Sequence, residues 1–185
     1  MTRYDLFPTP LWHIEGASQQ LIDELYQGAY YFKEKCPSAN KSNKGGYQTP
    51  TFGWKDFHPE GKKYIEKIIN DILKEFKVNG WWYNINPKGT SNIPHTHPGS
   101  DFALVWYVTD SDGLLNLMTP HPQRTIESNT QSNELFVSDG QFPQIIKLNA
   151  KKGDILIFPA DMWHFVNPNE RDTDRISISM NLQLC

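Results

Sequence analysis

The sequence predicts an α+β protein in which two N-terminal helices flank a β-sandwich or barrel. Three observations carry that expectation. Two amphipathic helical stretches occupy the first 80 or so of the 185 residues. From Trp81 onward the chain breaks into short apolar runs separated by Gly, Pro, Asn and Asp. Aromatic residues are 13% of the chain and include six Trp, and aromatics favour the half-buried surface of strands. The length is enough for one domain, 1–185, with a substantial core: an N-terminal arm and supporting helices over 1–80, and a β core over 81–185.

Taken in order, "YDLFPTPLWHIEG" alternates loosely and holds two prolines, which suits an edge strand or an ordered arm. A helix is expected from about Ser18 to Lys35, capped by Ser18, with Leu21, Ile22, Leu25, Ala29 and Phe32 on one face. "CPSANKSNKGGYQTPTFGWKD" is rich in turn formers and reads as irregular. A second helix begins near Pro59, a residue suited to a first turn. Its stripe runs Tyr64, Ile65, Ile68, Ile69, Ile72, Leu73 and Phe76. The strands then follow: "WWYNINP", "FALVWYVT", "GLLNLM", "QIIKL", "DILIFP" and "RISISMNLQL". Residues 119–143 are a long polar interruption, and a loop of that length suits a lid or a binding loop.

The net charge is −3 with no basic block, so no nucleic-acid footprint is present. No apolar run reaches the length of a membrane span or a signal peptide. Cys36 and Cys185 provide no disulfide framework. The expected location is the cytoplasm. Oligomeric state is not encoded in any visible pattern.

Among six histidines, His13 and His58 sit near element ends and read as ordinary. His121, in the long loop, is a possible substrate contact. His95 and His97 are different, because residues two apart in extended backbone project to the same face. Two imidazoles can then converge on one ion. His164 follows the buried strand of "GDILIFPADMWH". Its distance in sequence from His97 does not suit a finger-type zinc site, but it suits a β-fold that brings distant strands together. In the last strand Arg175, Ser177, Ser179, Asn181 and Gln183 alternate strictly with Ile176, Ile178, Met180, Leu182 and Leu184. Were the polar face to line an interior, Arg175 would need an anion there, and its planar fork suits a carboxylate.

Together these segments resemble the Fe(II)/2-oxoglutarate-dependent oxygenases, most closely a family found in phages and marine bacteria. The matching pieces are "LFPTPLW", Trp82-Tyr83-Asn84, Asn92 through Ser100, Trp106-Tyr107-Val108, Gly153–His164 and Arg175–Asn181, in that order along nearly the whole chain. The resemblance implies a double-stranded β-helix (a jelly-roll, cupin-like barrel) with Fe(II) held inside by His95, His97 and His164. It also implies that Arg175, with Ser177, grips the far carboxylate of 2-oxoglutarate. O₂ would be consumed, an unidentified protein side chain or small molecule hydroxylated, and succinate and CO₂ released. Asn84, Asn92 and Tyr107 are weaker candidates for hydrogen bonds in the pocket. The broader superfamily has a carboxylate where His97 stands, so Asp101 is the alternative ligand. His97 is preferred because its spacing from His95 fixes the geometry.

Two other readings use the same residues. Gly89, His95, His97 and Asp101, followed by Gly153, Pro159 and His164, also resemble the two cupin motifs, which need no 2-oxoglutarate. A non-catalytic β-sandwich binding or virion protein with merely packed histidines is the third.

Overall fold

The computed structural model describes residues 9–73, 75–111, 114–120, 136–137 and 145–185. His121, nearly all of the expected lid over 119–143 and the start of "LFPTPLW" lie outside the described residues.

Among the described residues twelve strands form two six-stranded sheets, in the orders β1-β10-β6-β12-β4-β3 and β2-β5-β11-β7-β9-β8. The first contains β1 (Trp12–Ile14), β3 (Tyr47–Gln48), β4 (Phe76–Asn86), β6 (Phe102–Tyr107), β10 (Ile155–Pro159) and β12 (Arg175–Leu184). The second contains β2 (Asn43–Lys44), β5 (Ser91–His95), β7 (Leu115–Met118), β8 (Phe136–Val137), β9 (Ile145–Leu148) and β11 (His164–Val166). All the pairings are antiparallel. Neighbours in each sheet are mostly distant in sequence, as in a double-stranded β-helix.

Helices α1 (Gln19–Lys35) and α2 (Pro59–Leu73) cover the outer face of the first sheet. Ser18 caps α1, its hydroxyl accepting from Leu21 N–H at 3.3 Å, a contact worth about 1 kcal/mol. Lys33 and Lys35 occupy the last turn, where positive charge complements the helix dipole. Leu21, Ile22, Leu25 and Ala29 of α1 and Ile65 and Ile69 of α2 are buried against Trp106, Ile155, Ile176 and Ile178. Fully burying a side chain such as Ile65 contributes about 1.5–3 kcal/mol relative to exposure. A second apolar cluster, including Tyr107, Leu115, Leu117, Leu148 and Phe158, lies between the sheets.

The two clusters explain the pattern of β12. Its Ile176, Ile178, Met180 and Leu182 face the helices, so Arg175, Ser177 and Ser179 turn into the space between the sheets. Some expected boundaries move. Phe76 does not continue the α2 stripe but opens β4, which therefore starts five residues before Trp81. The segment after Cys36 also contributes β2 and β3, one to each sheet. Among the described residues no helix is long and apolar enough to cross a membrane.

Candidate metal centre

His95 ends β5, and its register partner on β11 is His164. Antiparallel pairing thus sets two rings side by side, with centroids 4.2 Å apart. His97 comes two residues later, after the strand. Its backbone N–H donates to Ala160 O at 2.8 Å, and its ring lies on the indole of Trp82, with centroids 5.6 Å apart and planes 27° apart. Gly99, at φ 81°, then turns the chain toward β6 through a conformation that favours glycine.

The three rings converge. One imidazole nitrogen from each of His95, His97 and His164 lies within 4.8 Å of the others. Every Nδ1 is already engaged, by Ile93 O at 2.7 Å, Asn181 Oδ1 at 2.6 Å and Met162 O at 2.9 Å, respectively. Carbonyl oxygens only accept, so each Nδ1 carries the proton and each Nε2 keeps a lone pair. Nε2 of His97 and Nε2 of His164 stand 3.2 Å apart. Two lone pairs at that distance repel unless a cation lies between them. Burial lowers all three basicities, that of His97 to about 4 and that of His164 to about 3, while the hydrogen bonds at Nδ1 oppose the shift. All three rings are therefore neutral near pH 7. Three neutral nitrogen donors, each held by an outer hydrogen bond, fit a divalent transition metal.

Asp101 is not brought to this cluster. Its carboxylate accepts from Leu184 N–H at 2.8 Å, and its backbone bridges Leu182 and Ala160. His13 pairs with Asp154 at 3.0 Å and His58 with Glu24 at 3.2 Å, both away from the cluster, as expected of ordinary histidines.

Inward of the triad a narrow cavity runs between the sheets. Register places Tyr107 (β6), Ser177 (β12), Asn84 (β4) and Gln48 (β3) on one rung across the first sheet. The first three line this cavity together with Arg175. Arg175 is 3% exposed, and its Nη1 donates to Asn167 O at 2.8 Å. Burial raises the Tyr107 phenol well above its ordinary range, against the opposing charge of Arg175. The phenol therefore stays protonated. Asn84 Nδ2 donates to Ser179 Oγ at 3.0 Å, while its buried Oδ1 has no partner. Asn92 lines the same cavity and donates to Ser42 Oγ at 3.3 Å. A buried guanidinium with hydroxyls around it fits a small carboxylate.

Sequence reasoning did not single out Asn181, Trp82 or Gln48 as site residues. Asn181 and Ser179 stand on the same alternating face as Arg175, so the signal was present. Trp82 stood in the matching Trp82-Tyr83-Asn84 piece without a role of its own, and Gln48 gave no signal, since its placement depends on which strands pair.

Two antiparallel sheets enclosing a histidine cluster and a buried arginine define a jelly-roll with a candidate metal centre. Residues 80–181 match the family described as "Putative 2OG-Fe(II) oxygenase". The chain belongs to that family, and its enzymes are 2-oxoglutarate- and Fe(II)-dependent. This sets aside the cupin and non-catalytic readings. No curated protein matches the sequence, but solved structures share the fold. The viral collagen prolyl hydroxylase of Paramecium bursaria Chlorella virus-1, in its 2-oxoglutarate complex, is 15% identical with TM-score 0.62, covering 95% of this chain and 96% of that one. A Pseudomonas putida prolyl-4-hydroxylase is 13% identical with TM-score 0.62, covering 95% and 92%. HygX of Streptomyces hygroscopicus, with nickel, 2-oxoglutarate and hygromycin B bound, is 11% identical with TM-score 0.65, covering 95% and 83%.

Proposed function

We propose that His95, His97 and His164 hold Fe(II) through their Nε2 atoms. Arg175 and Ser177 hold the distal carboxylate of 2-oxoglutarate, and a substrate C–H is hydroxylated at the mouth of the cavity. The observation that carries this reading is the common tautomer of the three rings, with every Nδ1–H tied to an outer carbonyl and the Nε2 lone pairs turned toward one another. When bound, iron and 2-oxoglutarate supply the oxidising chemistry, consuming O₂ and releasing succinate and CO₂.

The chain's own residues supply position, charge and dryness. Asn181 fixes the His97 ring through a 2.6 Å hydrogen bond. Phe158 meets His164 edge-on, with ring centroids 4.9 Å apart, and shields that ligand from water. Three neutral imidazoles leave the metal's charge uncompensated, which favours an anionic cosubstrate beside it. Arg175 gives the far end of that anion a buried fork, and Tyr107 and Asn84 add a hydroxyl and a carboxamide along its length.

Proteins of similar fold include prolyl hydroxylases and HygX, which holds the small molecule hygromycin B. The substrate of this chain is a protein side chain or a small molecule. A cytoplasmic location belongs to the same reading, consistent with Cys36 and Cys185 being free thiols. Replacing each of His95, His97 and His164 by Ala and measuring bound iron and succinate formation tests the assignment. Each replacement is expected to abolish both. Full iron retention in any one of the three removes that residue from the ligand set.

A further inference from the structure

His95, His97, Ser42 and Trp82 line two spaces at once, the interior cavity and an open groove on the outer side of the triad. The groove adds Lys41, Gln48 and Ile93. Among the described residues its lining contains one cation and no carboxylate. Lys41 is exposed, and no ion pair engages its ammonium among the described residues. The segment that carries it is fastened beside the triad: Ile93 N–H donates to Ser42 O at 2.8 Å, and Lys41 N–H to Asn43 Oδ1 at 3.1 Å. Gln48 is 4% exposed, yet its Oε1 has no hydrogen-bond partner. A buried acceptor left unmade costs about 1–3 kcal/mol, a cost that a ligand donor removes. Trp82 and the exposed Ile93 provide apolar walls.

We propose that this groove is the substrate site and that it takes an apolar monocarboxylate bearing an N–H or O–H donor next to its carboxylate, such as an N-acylated or α-hydroxy acid. Lys41 pairs with the carboxylate, Gln48 Oε1 accepts from the donor, and the hydrocarbon lies on Trp82 beside His97. A lone lysine matches a monoanion. A phosphate dianion calls for a guanidinium fork or several cations, and the described residues that line the groove supply neither. The position of the reacting carbon rests on the iron and 2-oxoglutarate reading, but binding in the groove does not.

Calorimetry with four probes on the Ni(II)-treated protein tests this. N-acetyl-leucine and 2-hydroxy-4-methylpentanoate carry both groups, N-acetyl-leucinamide lacks the charge, and 4-methylpentanoate lacks the donor. The first two are expected to bind at least fivefold more tightly than the last two, and the better of them identifies the donor type. Lys41→Ala is expected to abolish the preference over the amide, with Lys41→Arg restoring it. Gln48→Leu is expected to abolish the preference over 4-methylpentanoate. Excess 2-oxoglutarate should leave binding unchanged. Equal affinity for all four probes, absence of binding, or a preference that survives Lys41→Ala overturns the proposal. Displacement by 2-oxoglutarate also overturns it, since the probes would then occupy the Arg175 cavity. If 2-oxoglutarate itself fails to bind while the Lys41-dependent preference holds, the groove stands and the cosubstrate reading falls.

Discussion

Asn181 Oδ1 accepts the Nδ1 proton of His97 at 2.6 Å, across 84 residues of sequence. The last strand therefore carries both the arginine inside the cavity and, six residues on, the group that fixes a ring of the triad. Asn181 acts through His97, as a positioning residue. Outer hydrogen bonds to metal-bound histidines are commonly worth 10–100-fold in metal affinity. Asn181→Leu is expected to weaken Fe(II) or Zn(II) binding by about that factor in a chelator competition. Asn181→Asp, which keeps an acceptor, should largely restore it. Unchanged affinity in Asn181→Leu would make the contact incidental.

The two residues competing for the third position separate cleanly by substitution. His97→Ala is expected to lose stoichiometric iron. Asp101→Ala is expected to keep it and to lose only the bond from Leu184 N–H, about 1 kcal/mol or less of stability at this exposed site. Iron retained in the first variant and lost in the second would reverse the assignment.

The metal-free protein should lose stability in mild acid. Burial holds His97 at about 4 and His164 at about 3 in the folded state, against about 6.5 in the unfolded chain. Between those values the unfolded chain binds more protons, so stability rises with pH. Each ring contributes a slope of up to about 1.4 kcal/mol per pH unit. Urea midpoints of the chelator-treated protein should therefore fall steadily from pH 7 to pH 5. A flat profile would mean that the rings are not buried neutral.

Arg175→Lys keeps the charge but removes the fork. The KM for 2-oxoglutarate is expected to rise at least tenfold, with metal affinity unchanged. An unaltered KM would separate Arg175 from the cosubstrate.

Much of this was legible in the sequence because it is periodic. The strict alternation of 175–184 separated an apolar row from a polar one. Ile176, Ile178, Met180 and Leu182 face the helices and Arg175, Ser177 and Ser179 line the interior, while Gln183 and Leu184 are exposed. The apolar stripes of α1 and of α2 up to Leu73 were legible for the same reason. Two-residue strands such as β2 and β3 carry no periodicity, so the segment after Cys36 read as irregular although it supplies Lys41 and Gln48. Phe76 happened to continue a helical spacing, and only its pairing with Leu184 on β12 shows it to be a strand residue. The triad itself was half visible. The spacing of His95 and His97 marked a pair, whereas the approach of His164 depends on β5 pairing with β11, which no local pattern states.

The central claim is that the three rings and Arg175 hold iron and 2-oxoglutarate together. Adding Fe(II) and 2-oxoglutarate to the protein without oxygen and recording the visible spectrum tests it most directly. A metal-to-ligand charge-transfer band that requires both additions and is absent in His164→Ala is the predicted result. No band in the parent protein, or an undiminished band in His164→Ala, would contradict it.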